Sequence, residues 1–370
     1  MTVSRTQPRL KRNLTLKLLT WFAQHGRDLP WRHTRDPYAI WVSEIMLQQT
    51  QVKTVIPYYE AWLARFPTVQ ALAEAPLGAV LKQWEGLGYY TRARNLHAAA
   101  QRVVAEHDGR LPEEAAALRR LPGIGAYTSG SIASIAFGRD EPAVDGNVLR
   151  VLARVYAVRE DVRSPAVHSQ LEALARAHLP PGRAGEFNEA LMDLGATICI
   201  PRAPQCLICP LNRLCEARRL GLQNEIPLRI RRMPVPHYDV TAGVIWKNGR
   251  VLIAQRPADK LLGGLWEFPG GKREEGETLE ACLGRELTEE LAIDVEIVRP
   301  LTQVEHGFTH FAITLHVFVC RFAGGTPQTL QVADFKWVHP ADLGHYALGA
   351  ADRRVAEFVV SGEAAVANRG

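Results

Sequence analysis

Leu121-Pro-Gly-Ile-Gly-Ala-Tyr-Thr128 is the stretch on which the reading of this chain turns. It lies between two segments of helical periodicity, Glu113–Arg120 and Thr128–Phe137. Two glycines around one apolar residue permit a tight helix–hairpin–helix turn. The turn and the helix start after it would offer backbone N–H groups to an anion. Such a hairpin, with Gly123 and Gly125 at its bend, suits one DNA phosphate and reads no sequence. An ordinary connecting turn has the same letters.

Outward from the hairpin, the pattern stays helical up to about residue 222. Asp36–Gln51, Thr68–Glu85, Arg92–His107 and Ser164–His178 space their apolar residues by three and four, with Gly and Pro breaks between. An all-α domain over 1–222 is expected. Residues 223–238 mix prolines with arginines and have no period, so they read as a linker, either near phosphates or simply solvated. From 239 to 370 the period shortens. Val240–Trp246, Val251–Gln255, Ile313–Cys320 and Phe335–His339 read as strands and Leu279–Leu291 as a helix, which makes a separate α+β domain.

The bulk properties are those of an ordinary globular protein: 370 residues, 47% hydrophobic, 22% charged, net charge +5. The basic balance fits a polyanionic partner without establishing one. No apolar run reaches the ~20 residues of a membrane span, and Met1–Arg12 is polar and basic rather than a secretory signal. A cytoplasmic location and no membrane partner are expected.

Four of the six cysteines crowd together as Cys199-x6-Cys206-x2-Cys209-x5-Cys215. In a chain without an export signal this reads as a metal site, not a disulfide framework. Four thiolates suit Zn²⁺ or an iron–sulfur cluster, and the uneven spacing leans toward the cluster. Cys282 and Cys320 stand alone and read as packing residues.

Two carboxylates have candidate chemistry. Glu44 falls on an apolar helix beside Trp41, Ile45 and Leu47. Burial there without a cation would raise its pKa toward that of a general acid. Asp145 precedes the helix Val148–Val155, where it would cap the helix or stabilise a cationic sugar.

The hairpin, the aspartate and the 6-2-5 cysteines, in this order, resemble the endonuclease III superfamily of DNA glycosylases. Leu29-Pro-Trp-Arg32, Trp41–Thr50 and Gly86-Leu-Gly-Tyr-Tyr90 are similar to its adenine glycosylase branch over essentially the whole chain. The resemblance implies a 4Fe–4S cluster on the four cysteines. It implies a substrate of duplex DNA with adenine opposite 8-oxoguanine or guanine, and a base flipped out of the helix. Bifunctional relatives carry a lysine where this chain has Tyr127, and tyrosine forms no Schiff base, so excision without a strong lyase step is implied.

By resemblance, Glu44 protonates adenine N7 and Asp145 meets the oxocarbenium-like sugar, a division of labour like that of glycoside hydrolases. Tyr127 and Asn147 would position sugar and water. Trp31, Arg32, Leu47 and Glu189 would line the adenine pocket, and Gln49 and Tyr89 would enter the duplex. One duplex lesion needs one copy, so a monomer is expected.

Trp266-Glu-Phe-Pro-Gly-Gly-Lys272, Glu277 and Arg285-Glu-Leu-Thr-Glu-Glu290 resemble the Nudix fold, with the box's last glycine replaced by Ala292. A positive φ is expected there, at roughly 1 kcal/mol for alanine. In the resembling family this domain recognises oxidised guanine, here through Phe308, Thr309 and His310. The grouping of Glu286, Glu289 and Glu290 leaves Mg²⁺ binding open. Three other functions remain in view. A thymine-mismatch glycosylase is disfavoured by Leu29–Arg32 and the Nudix-like tail. A non-catalytic lesion sensor is disfavoured by the presence of both Glu44 and Asp145. A nucleotide-pool hydrolase is testable with Mg²⁺.

Overall fold

The computed structural model describes residues 8–228 and 235–365. Most of Met1–Arg12 and residues 229–234 of the expected linker lie outside what it describes. The chain divides into two compact units, Met1–Ala73 with Ala98–Arg232, and Glu74–His97 with Met233–Gly370. The helical stretch 74–97 thus packs with the C-terminal half.

Helices run through the first part of the chain as α1 (Pro8–His25), α2 (Pro37–Leu47), α3 (Val52–Arg65), α4 (Val69–Glu74), α5 (Leu77–Trp84), α6 (Thr91–Glu106), α7 (Ala115–Leu118), α8 (Ala126–Phe137), α9 (Gly146–Val155), α10 (Pro165–His178), α11 (Ala184–Thr197) and α12 (Glu216–Arg219). Two expected helices are corrected. The segment 36–51 stops at Leu47, because Gln49 takes φ 58°. The segment 68–85 is two helices, because Pro76 has no N–H to continue the first.

α2 begins with an N-cap, the Asp36 side chain accepting from Tyr38 N, and Pro37 opens its first turn. Every residue from Tyr38 to Met46 is buried, so this helix is enclosed on all sides and takes Glu44 with it. α8 starts behind Gly125 and ends at Gly138, which has φ 66° and turns the chain away. A Cβ on Gly130 would lie 2.1 Å from Pro142 O. Only glycine lets the segment before Asp145 pass this close to α8. Leu14, Leu18, Leu152, Leu171, Phe187 and Leu191 form the core shared by α1, α9, α10 and α11.

The second unit is built on a mixed sheet: β1 (His237–Lys247), β2 (Arg250–Gln255), β3 (Trp266–Glu267), β4 (Ile293–Gly307), β5 (Ala312–Gly325) and β6 (Asp334–Val338), in the order β3-β2-β1-β5-β4 with β6 also on β2. β1 and β5 are parallel and the other pairs antiparallel. Asn248 and Gly249, at φ 49° and 72°, make the two-residue turn of the β1–β2 hairpin. α13 (Leu279–Leu291) places Leu283, Leu287 and Leu291 in the core on one face of the sheet. α14 (Ala350–Val360) places Val355, Ala356 and Val359 in a second core. Sequence periodicity missed β4 and α14. In β4 the ladder with β5 slips register three times, which destroys a strict alternation. Ala292 closes α13 at φ 55°, as expected for the altered box position. Cys282 and Cys320 are fully buried packing residues. Among the described residues no helix is long and apolar enough to cross a membrane.

Candidate active site

One cavity of about 880 Å³ in the helical unit collects most of the residues singled out from sequence: Trp31, Arg32, Glu44, Leu47 and Gln49, with Tyr127, Asp145, Asn147 and Glu189 across from them. The volume suits a small organic ligand.

Glu44 enters from α2 and is 5% exposed. Burial pushes its carboxyl up to about 7; hydrogen bonding with Tyr127 and Ser131 pulls the other way, and Asp145 and Glu189 add to the rise. Its Oε2 is buried with no geometrically sound hydrogen bond, and so is the Ser131 hydroxyl. A carboxyl at about 7 holds its proton at neutral pH and can give it up. Tyr127 and Ser131 stand one turn apart on α8. Burial, then the negative charges of Glu44 and Asp145, push the Tyr127 phenol well up. Its hydroxyl lies 3.6 Å from Met192 Sδ.

Asp145 is the N-cap of α9, its Oδ1 accepting from Val148 N at 2.8 Å. Its Oδ2 accepts from Asn147 Nδ2 at 2.7 Å. The capping role and a place in the cavity are thus held by the same side chain. Arg150 Nη2 in turn donates to Asn147 Oδ1 at 2.7 Å and to Gly195 O at 2.8 Å. A Cβ on Gly195 would fall 2.6 Å from Asn147 Cβ, so α9 and α11 approach closely here.

Arg32 donates to Glu189 at 3.1 Å and to both oxygens of Asp193, at 2.8 and 3.0 Å. Arg27 also donates to Asp193, through its backbone N at 2.9 Å and Nε at 2.8 Å. The Asp193 side chain is fully buried. Burial pushes its pKa up, but Arg32 and Arg27 outweigh it and the net shift is downward. Glu189 shifts upward, burial exceeding the pull of Arg32 and Arg35. Sequence reasoning missed Asp193, Arg27 and Ser131. Asp193 follows Glu189 by one turn of α11, the one sequence signal that pairs them.

The hairpin is formed as expected between α7 and α8. Gly123 takes φ 75° and Gly125 precedes the first turn of α8, both exposed. Arg119 Nε donates to Ser129 Oγ at 2.9 Å and pins α8 to the turn. Gln49 and Tyr89 share a distinctive backbone, φ 58° and 49°, and both are exposed. Left-handed backbone at a non-glycine residue is strained and concentrates at functional sites.

The thiols of Cys199, Cys206, Cys209 and Cys215 border one small cavity of about 20 Å³, with Arg154 and Arg218 beside them. Arg154 Nη1 donates to Cys199 Sγ at 3.3 Å. Among the described residues no three His, Cys, Asp or Glu side chains are arranged to hold a single metal ion. Four thiols with cationic neighbours lining one cavity are, by their chemistry, a donor set that fits an anionic sulfur-ligated group.

In the C-terminal unit a second cavity, about 410 Å³, is walled by Tyr238, Phe308 and Phe311 and edged by Glu267, Glu286, Glu290 and Asp352. Phe308 stacks on Phe311 with ring centroids 4.6 Å apart. Thr309 and His310 are exposed at the tip of the loop. Burial and then Glu267 push Glu290 up to about 8 and Asp352 up to about 7. The box does not act as one face: Arg285 pairs with Glu277, Glu286 and Glu289, and Glu289 does not line the cavity.

Comparison with known proteins finds one family in the first part of the chain and another in the last. Residues 42–177 match the HhH-GPD superfamily of base excision DNA repair proteins, and residues 241–357 match the NUDIX domain. The adenine DNA glycosylase of Homo sapiens is 38% identical over 91% of this chain and 72% of its own length. That of Buchnera aphidicola subsp. Acyrthosiphon pisum is 32% identical over 82% of this chain and 85% of its own. The structure of a thermostable thymine-DNA glycosylase superposes with a TM-score of 0.53 at 32% identity, covering 57% of this chain and 98% of that one.

Proposed function

The chain belongs to the adenine DNA glycosylase family, and on that footing we propose that it hydrolyses the N-glycosidic bond of adenine paired with 8-oxoguanine or guanine in duplex DNA. The observation that carries this reading is Glu44, a buried carboxyl at about 7 in one cavity with Asp145.

Adenine stacked in a duplex is out of reach of a side chain as deeply buried as Glu44, so the base must be turned out into the cavity. Glu44 then gives its proton to adenine N7, which makes the base a better leaving group. Asp145, held on both oxygens, presents its carboxylate to the positive charge that grows on the sugar. Asn147 and Tyr127 keep the sugar and the attacking water beside it. The Trp31 ring, Leu47 and the Arg32–Glu189 pair frame the base. Asp193 fixes the Arg32 guanidinium, so Glu189 meets the adenine edge in one orientation. Tyr127 stands where bifunctional relatives carry a lysine and offers no amine, so excision proceeds without a Schiff base at that position.

The N–H groups at Gly123–Gly125 and the start of α8 hold a phosphate of the strand, while Gln49 and Tyr89 prop the gap in the stack. Cys199, Cys206, Cys209 and Cys215 would hold a 4Fe–4S cluster. Such a cluster would cross-link the 199–215 loop through the four thiolates. Phe308, Thr309 and His310 read the oxidised guanine, and one chain acts alone. Thr309 supplies a hydroxyl to the lesion, and its β-branch stiffens χ1.

The likeness to a thymine-DNA glycosylase makes thymine the specific competitor. Single-turnover excision from duplexes with adenine opposite 8-oxoguanine, adenine opposite guanine and thymine opposite guanine separates the two. Faster release of adenine, fastest opposite 8-oxoguanine, is expected; release of thymine alone would overturn the reading.

A further inference from the structure

Within the C-terminal unit, one carboxylate fastens the 74–97 segment to residues 346–353. Glu85 follows α5 as its C-cap residue. Its Oε1 accepts from Leu348 N at 2.9 Å, from Arg353 Nε at 3.0 Å and also from Arg353 Nη2. Its Oε2 takes Lys82 Nζ at 2.5 Å. Lys82 Nζ and Arg353 Nη2 then share the carbonyl of Tyr346, at 3.2 and 2.8 Å. Side-chain exposure is 17% for Glu85 and 28% for Arg353, so the pair is substantially shielded from water. On the far side, the Tyr90 hydroxyl donates to Leu348 O at 3.3 Å.

Between these two attachments lies Gly86-Leu87-Gly88-Tyr89, with φ of 99° at Gly86, 71° at Gly88 and 49° at Tyr89. A left-handed tyrosine persists only where its surroundings hold it: Trp84 Nε1 and Arg92 Nη2 each donate to Gly88 O at 3.0 Å, Arg92 lies over the Tyr89 ring, and the attachments at 85 and 90 fix the two ends of the turn. The tip they support is Tyr89, 45% exposed, with its hydroxyl 3.2 Å from Thr309 Oγ1.

We propose that Glu85 is the positioning residue of the opposite-base reader: by bolting the 86–89 turn to residues 348 and 353, it holds Tyr89 beside Thr309 so that both meet the base opposite adenine together. The proposal rests on the reading above, in which Tyr89 enters the duplex and Thr309 meets 8-oxoguanine. Without the carboxylate, Lys82 and Arg353 face each other with no counter-charge. The turn then loses its anchor on the lysine and arginine side. Tyr89 drifts from Thr309, and the lesion is read by one group instead of two.

The test is single-turnover excision of adenine opposite 8-oxoguanine and opposite guanine, for wild type, Glu85→Gln, Arg353→Met and the double variant, with a melting curve for each. The ratio of the two rates is the readout, because a loss of folded protein lowers both rates together. In each single variant the ratio should fall about tenfold, the size of a lost charge-assisted hydrogen bond. The double variant should lose no more than the worse single one, because both cut the same bolt. A wild type with no preference for 8-oxoguanine would remove the underlying reading. A wild type with the preference, and variants that keep its ratio while melting lower, would reduce Glu85 to structural glue and overturn the proposal.

Discussion

Asn147 and Asp145 form a closed pair: the asparagine amide donates to Asp145 Oδ2 at 2.7 Å while Val148 N takes Oδ1 at 2.8 Å. The carboxylate is therefore aimed before any substrate arrives. A helix N-cap is a rigid mount, and it places negative charge where the helix dipole favours it.

Removing the amide should act on the reaction more than on the fold. Asn147→Ala is expected to slow single-turnover adenine release at least tenfold, through lost aim of Asp145. Asp145→Asn keeps a capping oxygen, so its melting temperature should move by no more than a ~1 kcal/mol cap is worth, while excision falls by orders of magnitude. Equal rates in Asn147→Ala and wild type would show that Asp145 needs no partner.

Glu44 should leave its signature on pH. With its carboxyl at about 7, the protonated fraction falls as pH rises through 7, and the excision rate should fall with it. Stability has the same sign. Between the ordinary 4.5 and about 7 the native state binds the proton more tightly than the unfolded chain, so stability is lost as pH rises through that window. The loss is about 3 kcal/mol at most. Glu44→Gln should abolish the pH dependence of stability across this window and melt higher than wild type at pH 8. A pH-independent difference in melting would contradict a buried acid.

Borohydride reduction during turnover should trap no covalent complex with wild-type protein, since Tyr127 offers no amine. A trapped adduct would point to another nucleophile in the cavity.

Cluster loading is checked on the purified protein. Iron and acid-labile sulfide in equal amounts are expected for wild type, with both lost in Cys206→Ser. Stoichiometric zinc without sulfide would replace the cluster with a zinc site.

At neutral pH Glu290, at about 8, holds its proton within the C-terminal cavity. Arg285 also occupies Glu277, Glu286 and Glu289, so magnesium-dependent release of phosphate or pyrophosphate from oxidised dGTP should be undetectable at pH 7. Clear release would show that the metal displaces this proton and the box is active.

The site was legible in sequence where a local rule fixed the geometry. Gly123 and Gly125 announced the hairpin, and the apolar neighbours of Glu44 announced its burial. Ala292 inherited the left-handed position of a glycine. What sequence did not show depends on meetings between distant segments. Asp193 is an ordinary helix aspartate until Arg27 and Arg32 arrive from 166 and 161 residues away. Glu85 is likewise unremarkable until Arg353 reaches it across 268 positions. β4 escaped because its bulges break the two-residue period that reveals strands.

The most direct test compares wild type with Glu44→Gln in single-turnover cleavage of a duplex carrying adenine opposite 8-oxoguanine, read with and without alkali. Breaks at adenine that require alkali, and that vanish in the variant, are the result expected of a monofunctional glycosylase with Glu44 as its acid. Intact adenine with cluster-loaded wild type, or full activity in the variant, would contradict it.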